Sequence, residues 1–286
     1  MTAIQESDLS SDRQRFDRDR DAYLALMRRV PEGAYAYLRP GDDYSVGGIA
    51  VHVNYVLDHY RLVLEAIAEA AYAECRPQEA DDLETEARAR ARGALTSAEV
   101  AAELSRTERL HADLLEVAGR LTEPDRKAPV WYRGGSEPYP TNLRDVLGWL
   151  TEHYQEHVPQ VEALIGEWRG AIGVVARFNE AFARSDVDAV MALMTDDCVF
   201  EDTEPSPDGQ RYTGQAAVRA AWEKFFANTE SPRFETEEIF AAGDRVVARW
   251  LFSWGGEGAG AGRVRGVDVF RVRDGKVAEK LSYVKG

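Results

Sequence analysis

Five histidines, His52, His59, His111, His153 and His157, all fall in the first 157 residues of this 286-residue chain. His153 and His157, in the stretch TEHYQEH, stand at i and i+4, so a helix would carry both imidazoles on one face. Two imidazoles spaced this way can converge on one ion, as they do in helical HExxH sites. The other roles open to them are a solvated face or a hydrogen bond to a neighbouring helix or tyrosine. The helical phase separates inside from outside. Leu143, Leu147, Leu150, Tyr154, His157, Val161 and Leu164 recur every three or four residues, so His157 holds a seam position between Leu150 and Leu164. It is expected to point into a helical bundle. A buried imidazole with no partner costs on the order of 1–3 kcal/mol, so something polar or metallic should meet it. A third ligand would have to come from another helix, where His52 and His59 lie seven residues apart. That is about 10.5 Å along a helix axis, against metal–nitrogen distances of about 2.0–2.1 Å. One of the two can join the pair, and spacing does not say which. His111 shows no partner in sequence and defaults to surface or core.

The elements that must position these residues are helices. A polar helix is expected over about 11–29, and a second over about 45–73 with Val46, Ile49, Val53, Val56 and Tyr60 on one stripe. A third starts at the capping-box pattern Thr96-Ser97-Ala98-Glu99. A fourth follows Pro140, with Thr141 or Asn142 as its cap, and runs to about Trp168. Pro159, two residues after His157, removes a helical N–H and is expected to kink the helix beside the site. Glu152, Glu156, Asp58 and Asn54 are candidates for orienting the histidines, with a solvated helix face as the default role for each. Residues 75–95 form a charged crossover, with room for a short helix of its own. Residues 122–140 form a long loop with Trp131, Tyr132 and Tyr139, whose aromatics favour docking over disorder.

The texture changes near Arg169-Gly170. One amphipathic helix with Val174, Val175, Phe178 and Phe182 leads into the strand DDCVFED, a short helix, and then four strands. Turns are expected at 242–244, in the glycine-rich stretch 255–262 and at Asp274-Gly275. Helices followed by meandering strands mean an all-α domain over 1–170 and an α+β domain with curved antiparallel sheet over 171–286.

The formal charge of −15 argues against nucleic-acid binding, because a phosphate backbone would be repelled. No apolar run reaches the ~18 residues of a membrane span, so no membrane partner is expected. The opening MTAIQESDLSSDRQRF has neither a basic nor an apolar segment, so no secretory leader is expected, and the cytoplasm is the expected location. Two cysteines in different halves, Cys75 and Cys198, fit a reducing compartment.

GGIAVHVNYVLDHY, followed about a hundred residues later by LRDVLGWLTEHYQEHVPQVEAL, resembles the DinB-like (DinB/YfiT) four-helix bundles. The likeness covers roughly residues 12–168 and implies an up-down bundle with one histidine early in the second helix and a HxxxH pair in the fourth. It selects His52 over His59 as the partner of His153 and His157. It also implies a divalent metal, Zn2+ first with Ni2+ or Fe2+ as alternatives, and S-transferase or isomerase chemistry with a low-molecular-weight thiol.

ARFNEAFARSDVDAVMALMTDDCVFED and RGVDVFRVRDGKVAEKLSY resemble the NTF2-like/SnoaL-like superfamily, a cone of curved sheet wrapped by helices around a pocket. Within it, ketosteroid isomerase is the nearest chemical template, and it is also a worked example of pKa tuning. Asp202 in VFED matches its general base and Asp268 in VDVFR its oxyanion-hole acid. Phe178 stands where its tyrosine donor would, which argues against steroid-type isomerisation. Asp268 shares a strand face with Val264 and Phe270, so burial would favour a neutral carboxyl donor. Phe178, Trp222, Phe226, Trp250, Phe252 and Tyr283 are the candidate pocket-lining residues, with plain core packing as the competing role for most of them. The implied partner is a small-molecule ligand or substrate, held either by a binding protein or by an acid–base isomerase or cyclase. A homodimer is expected, and Arg263, Arg265, Arg271 and Arg273 occupy the opposite strand face, solvated or in dimer packing.

Overall fold

A computed structural model describes residues 2–39, 41–80, 83–242, 244–255 and 261–285. The chain divides into two compact units, Met1–Ile165 and Gly166–Gly286.

The first unit is helical. Its elements are α1 (Thr2–Met27), α2 (Gly48–Glu69), α3 (Leu83–Ala91), α4 (Ser97–Ala118) and the first part of α5 (Leu143–Ala183), with strands β1 (Ala128–Val130) and β2 (Tyr139–Thr141) before α5. The apolar stripes meet in one core that includes Phe16 and Tyr23 of α1, Val53 and Leu57 of α2, Leu114 of α4, and Leu147 and Leu150 of α5. α2 packs on α3 and α4. A polar seam ties α2 to α4: Asn54 Nδ2 donates to the Glu103 backbone oxygen and carboxylate at 2.9 and 2.8 Å, and Thr107 Oγ1 donates to Asn54 Oδ1 at 2.7 Å. Buried amide and carboxylate are thus satisfied by one another, as burial requires.

Local chemistry sets the helix starts. Thr96 and Glu99 form the capping box, with Glu99 N–H donating to Thr96 Oγ1 and Thr96 N–H donating to Glu99 Oε2. Thr96→Ala is expected to cost about 1 kcal/mol of stability, measured by denaturant titration. Asn142 caps α5, its Oδ1 accepting from Asp145 N–H at 2.7 Å. Gly48 lets α2 begin against α3, since a Cβ there would lie 1.7 Å from the Ala91 oxygen. Ser45 completes that junction by donating to the Gly93 oxygen and accepting from Gly48 N–H.

The long loop over 122–140 is docked. β1 and β2 pair antiparallel, Cys75 bridges to Val130, and Trp131 donates to Glu74 while lying under the Arg76 guanidinium.

One expectation about α5 needs correction. The fourth helix does not end near Trp168, because α5 continues without a break from Leu143 to Ala183. Gly170 costs about 1 kcal/mol relative to alanine in a helix, which good helix formers on both sides outweigh. Pro159 lies inside this one helix, two residues after His157.

The second unit is built on a six-stranded sheet. It contains the last turns of α5, then α6 (Val187–Ala192), β3 (Met194–Glu201), β4 (Arg211–Thr213), α7 (Gln215–Ala227), β5 (Arg233–Ala242), β6 (Arg245–Trp254), β7 (Gly262–Arg273) and β8 (Lys276–Val284). The strand order is β4-β3-β8-β7-β6-β5. β5 to β8 form an antiparallel meander, which returns β8 alongside β3 in a parallel pairing. Register shifts between Thr236 and Glu238 and between Arg271 and Val272 mark bulges, which bend a sheet. Val175, Phe178, Cys198, Trp222, Ala248 and Phe270 anchor the core between helices and sheet. Of the expected turns, residues 243 and 256–260 lie outside the described residues. No described helix is long and apolar enough to cross a membrane.

Candidate functional site

Two places in the molecule gather chemistry, one in each unit. In the first, His52 of α2 meets His153 and His157 of α5. The His153 Nε2 lies 3.0 Å from His52 Nε2 and 3.1 Å from His157 Nε2. Ligand atoms of all three lie within 4.8 Å of one another. His157 is 6% exposed, as its seam position requires, and the other two are half-buried. Its Nδ1–H donates to Gln160 Oε1 at 2.7 Å, which leaves its Nε2 with a lone pair toward the cluster. Tyr44 stacks on the His52 ring at 4.3 Å.

Burial pushes His52 down to about 4, with the neighbouring His157 adding to the shift. Burial likewise lowers His153 to about 3, and lowers His157 against the opposing effect of its bond to Gln160. All three are therefore neutral imidazoles at neutral pH, the form that binds metals. The nitrogens also test whether a cation fits. A neutral His153 Nε2 carries at most one proton, yet it faces two nitrogens at hydrogen-bond distance. With the His157 lone pair directed inward, one proton at His153 can align with only one of the two contacts, and a cation between the nitrogens would satisfy all three lone pairs at once. A tetrahedral ion with bonds of about 2.0–2.1 Å would hold its nitrogens about 3.3 Å apart, close to the observed spacing.

His59 has another environment. Its Nδ1 pairs with Glu79, and its ring contacts Tyr60 and Tyr132. His111 is fully buried in the bundle, stacked on Phe16 at 3.9 Å, with Nε2 2.8 Å from Asp17 Oδ1. The four residues considered as supports are engaged elsewhere or exposed: Asp58 pairs with Arg61 and Arg106, Asn54 bonds Glu103, and Glu152 and Glu156 are on the surface. The partner of His157 is Gln160, three residues along the same helix and so legible from spacing alone.

The second place is a cavity of about 100 Å³ inside the second unit, where aromatic walls meet the polar groups Asp202, Asp268, Lys280 and Ser282. Asp268 is fully buried, and Lys280 Nζ stands 2.9 Å from its Oδ1 with a side chain only 7% exposed. Lys280 also donates to Ser282 Oγ at 2.6 Å and lies 5.1 Å from the Phe200 ring centre. Asp268 was expected as a neutral donor among apolar neighbours; beside an ammonium it is instead one half of an ion pair. Asp202 is half-buried, and its Oδ1 accepts from Thr203 N–H at 2.7 Å. The loop behind it closes tightly, because Gly209 has φ 72° and a Cβ there would lie 1.8 Å from the Asp202 oxygen.

Of the six aromatic residues read from sequence, Trp222, Trp250 and Phe252 line this cavity. The other three do not. Phe178 is buried beneath it, against Trp222 and Phe270, and Phe226 packs on Phe182. Tyr283 is 48% exposed on the outer face of β8, beside Glu237 and Arg265. Strand alternation explains the last case: in β8 the inward residues are Lys280 and Ser282, which puts Tyr283 outside. A lysine on a strand ordinarily faces water, so the residue type of Lys280 gives no sign of its buried position. The arginines of β7 make ion pairs on that outer face, Arg265 with Glu237, Arg271 with Asp244 and Arg273 with Asp197.

Residues 15–161 match the family model for the DinB superfamily, and residues 175–280 match the model for the SnoaL-like domain. Solved structures resemble the second region. An NTF2-like protein from Mesorhizobium loti is 38% identical over 42% of this chain and 93% of its own, with TM-score 0.37. An NTF2-like protein from Burkholderia pseudomallei is 19% identical over 41% of this chain and 91% of its own, with TM-score 0.36. An LEH-like epoxide hydrolase of M. tuberculosis is 23% identical over 42% of this chain and 85% of its own, with TM-score 0.36. No curated protein matches the sequence.

Proposed function

The chain belongs to the DinB superfamily, and from that premise we propose that it is a divalent-metal-dependent enzyme with His52, His153 and His157 as ligands. The reaction is transfer or isomerisation of a small molecule with a low-molecular-weight thiol as partner. The observation that supports this reading is the convergence of three Nε2 atoms from two helices, with contacts of 3.0 and 3.1 Å meeting at His153. Zn2+ is the ion we favour, with Ni2+ or Fe2+ as alternatives, because three neutral nitrogen donors and an open position suit it. When bound, such an ion lowers the pKa of a coordinated water or thiol and so supplies hydroxide or thiolate at neutral pH. The chain's own residues prepare the site. Gln160 holds His157 in the tautomer that presents Nε2. Tyr44 covers one face of His52 and limits water on that side. Burial keeps the imidazoles unprotonated.

Co2+ titration of the full chain, followed by visible absorption, tests the reading. One equivalent should bind, and a small thiol should then add a sulfur-to-cobalt charge-transfer band. A chain that binds Co2+ but shows no change with thiol would rule out the thiol partner; a chain that binds no Co2+ would remove the whole reading.

The buried Asp268–Lys280 pair favours a second reading, in which the cavity of the second unit binds a small molecule and can act on it by acid–base chemistry. Asp202, with one oxygen held by Thr203 N–H, is then the group that takes a proton, and Asp268 the group that binds.

A further inference from the structure

The chemistry of the cavity narrows its ligand, on the reading that it is a small-molecule site. Its volume of about 100 Å³ is below the about 150 Å³ of an engineered apolar cavity that takes benzene, which limits the occupant to one ring at most. Phe200, Trp222, Phe225, Phe234, Trp250 and Phe252 are among its walls. Three buried polar groups of the lining residues are left without hydrogen-bond partners: the Trp222 indole N–H, the Trp250 indole N–H and the Asp268 carboxylate. Lys280 neutralises Asp268 at 2.9 Å, but no donor is aligned on either carboxylate oxygen. Unpaired buried donors and acceptors are costly. An occupant that both accepts and donates would satisfy the carboxylate and one of the indoles.

Charge decides among such occupants. The lining carries two carboxylates, Asp202 and Asp268, against one ammonium, Lys280, so an anionic group is repelled. A ligand cation would compete with Lys280, whose Nζ already lies 5.1 to 5.9 Å from the ring centres of Phe182, Phe200 and Phe270. An ammonium also has no lone pair to offer an indole N–H. A neutral hydroxyl on a ring meets every condition. We propose that the cavity takes a single-ring hydroxyaromatic compound, its hydroxyl donating to Asp268 and accepting from the indole N–H of Trp222 or Trp250.

Binding of phenol, anisole, toluene, benzoate and benzylamine to the full chain, measured by calorimetry and tryptophan fluorescence, tests this. Phenol should bind at least tenfold more tightly than anisole, which accepts but cannot donate, and than toluene, which does neither. Benzoate and benzylamine should bind more weakly than phenol. A double variant, Asp268→Leu with Lys280→Met, removes both charges together and should keep toluene binding while losing the preference for phenol. Equal binding of phenol and toluene to the wild-type chain, or tighter binding of benzylamine or benzoate, overturns the proposal while leaving the cavity a ligand site. Binding of none of the five overturns the small-molecule reading along with it. The wild-type ranking decides even if the double variant does not fold.

Discussion

His153→Ala is expected to abolish tight binding of a divalent ion that the wild-type chain retains. His153 is the residue to remove because its Nε2 makes both close contacts, with His52 across the helix pair and with His157 one turn away. Without it, two nitrogens on different helices remain, and two ligands do not make a closed three-nitrogen face. An ion at 100 times its dissociation constant stabilises a protein by about 2.7 kcal/mol. Added Zn2+ should therefore raise the melting temperature of the wild type by several degrees and leave the variant unmoved. In the metal-free state the sign should reverse. The variant should be at least as stable as the wild type, because it no longer buries three imidazole nitrogens whose contacts one proton cannot satisfy. His111→Ala is the control. That histidine is buried with Asp17 as its partner, so its loss should lower stability while the Zn2+ response persists. A wild type whose melting is indifferent to Zn2+, Ni2+ and Fe2+ would remove the metal from the account.

Lys280→Met carries the second large expected effect. It leaves Asp268, which is fully buried, without its countercharge. Breaking a buried ion pair from one side costs about 3–5 kcal/mol, whereas replacing both partners with apolar groups is often neutral or better. The single variant should therefore lower the denaturant midpoint of the transition belonging to the second unit. The double variant, Asp268→Leu with Lys280→Met, should recover most of that loss. If the single and double variants were equally destabilised, the two charges would not be acting as a unit, and the cavity floor would have to be described differently.

Much of this architecture is legible from short-range pattern. The three-and-four repeat of the fourth predicted helix turns His157 inward, the capping box at Thr96 marks one helix start, and Thr141 or Asn142 marks another, with Asn142 making the cap. Strand alternation puts Trp250 with Phe252 on one face of their strand and Asp268 with Phe270 on one face of theirs, and both faces are buried. These features depend only on the helical period of 3.6 and the strand period of 2, which the chain carries locally.

What needed the tertiary structure was every question of which face meets which. His52 and His59 sit on the same helix with similar neighbours, and their separation comes from what lies opposite each: His153 for one, Glu79 and Tyr132 for the other. Lys280 looks like a surface lysine until the β7–β8 register sets it against the floor of the second unit, beside Asp268. Gly170 looks like a helix end, yet the helix runs through it. The sequence by itself determined the long helices of the first unit, the four-strand meander of the second, the inward face of His157 and the placing of His153 beside it. The tertiary structure decided their partners, because an imidazole, a carboxylate or an ammonium takes its chemistry from the charge and the water around it, and those are supplied by residues far away in the chain.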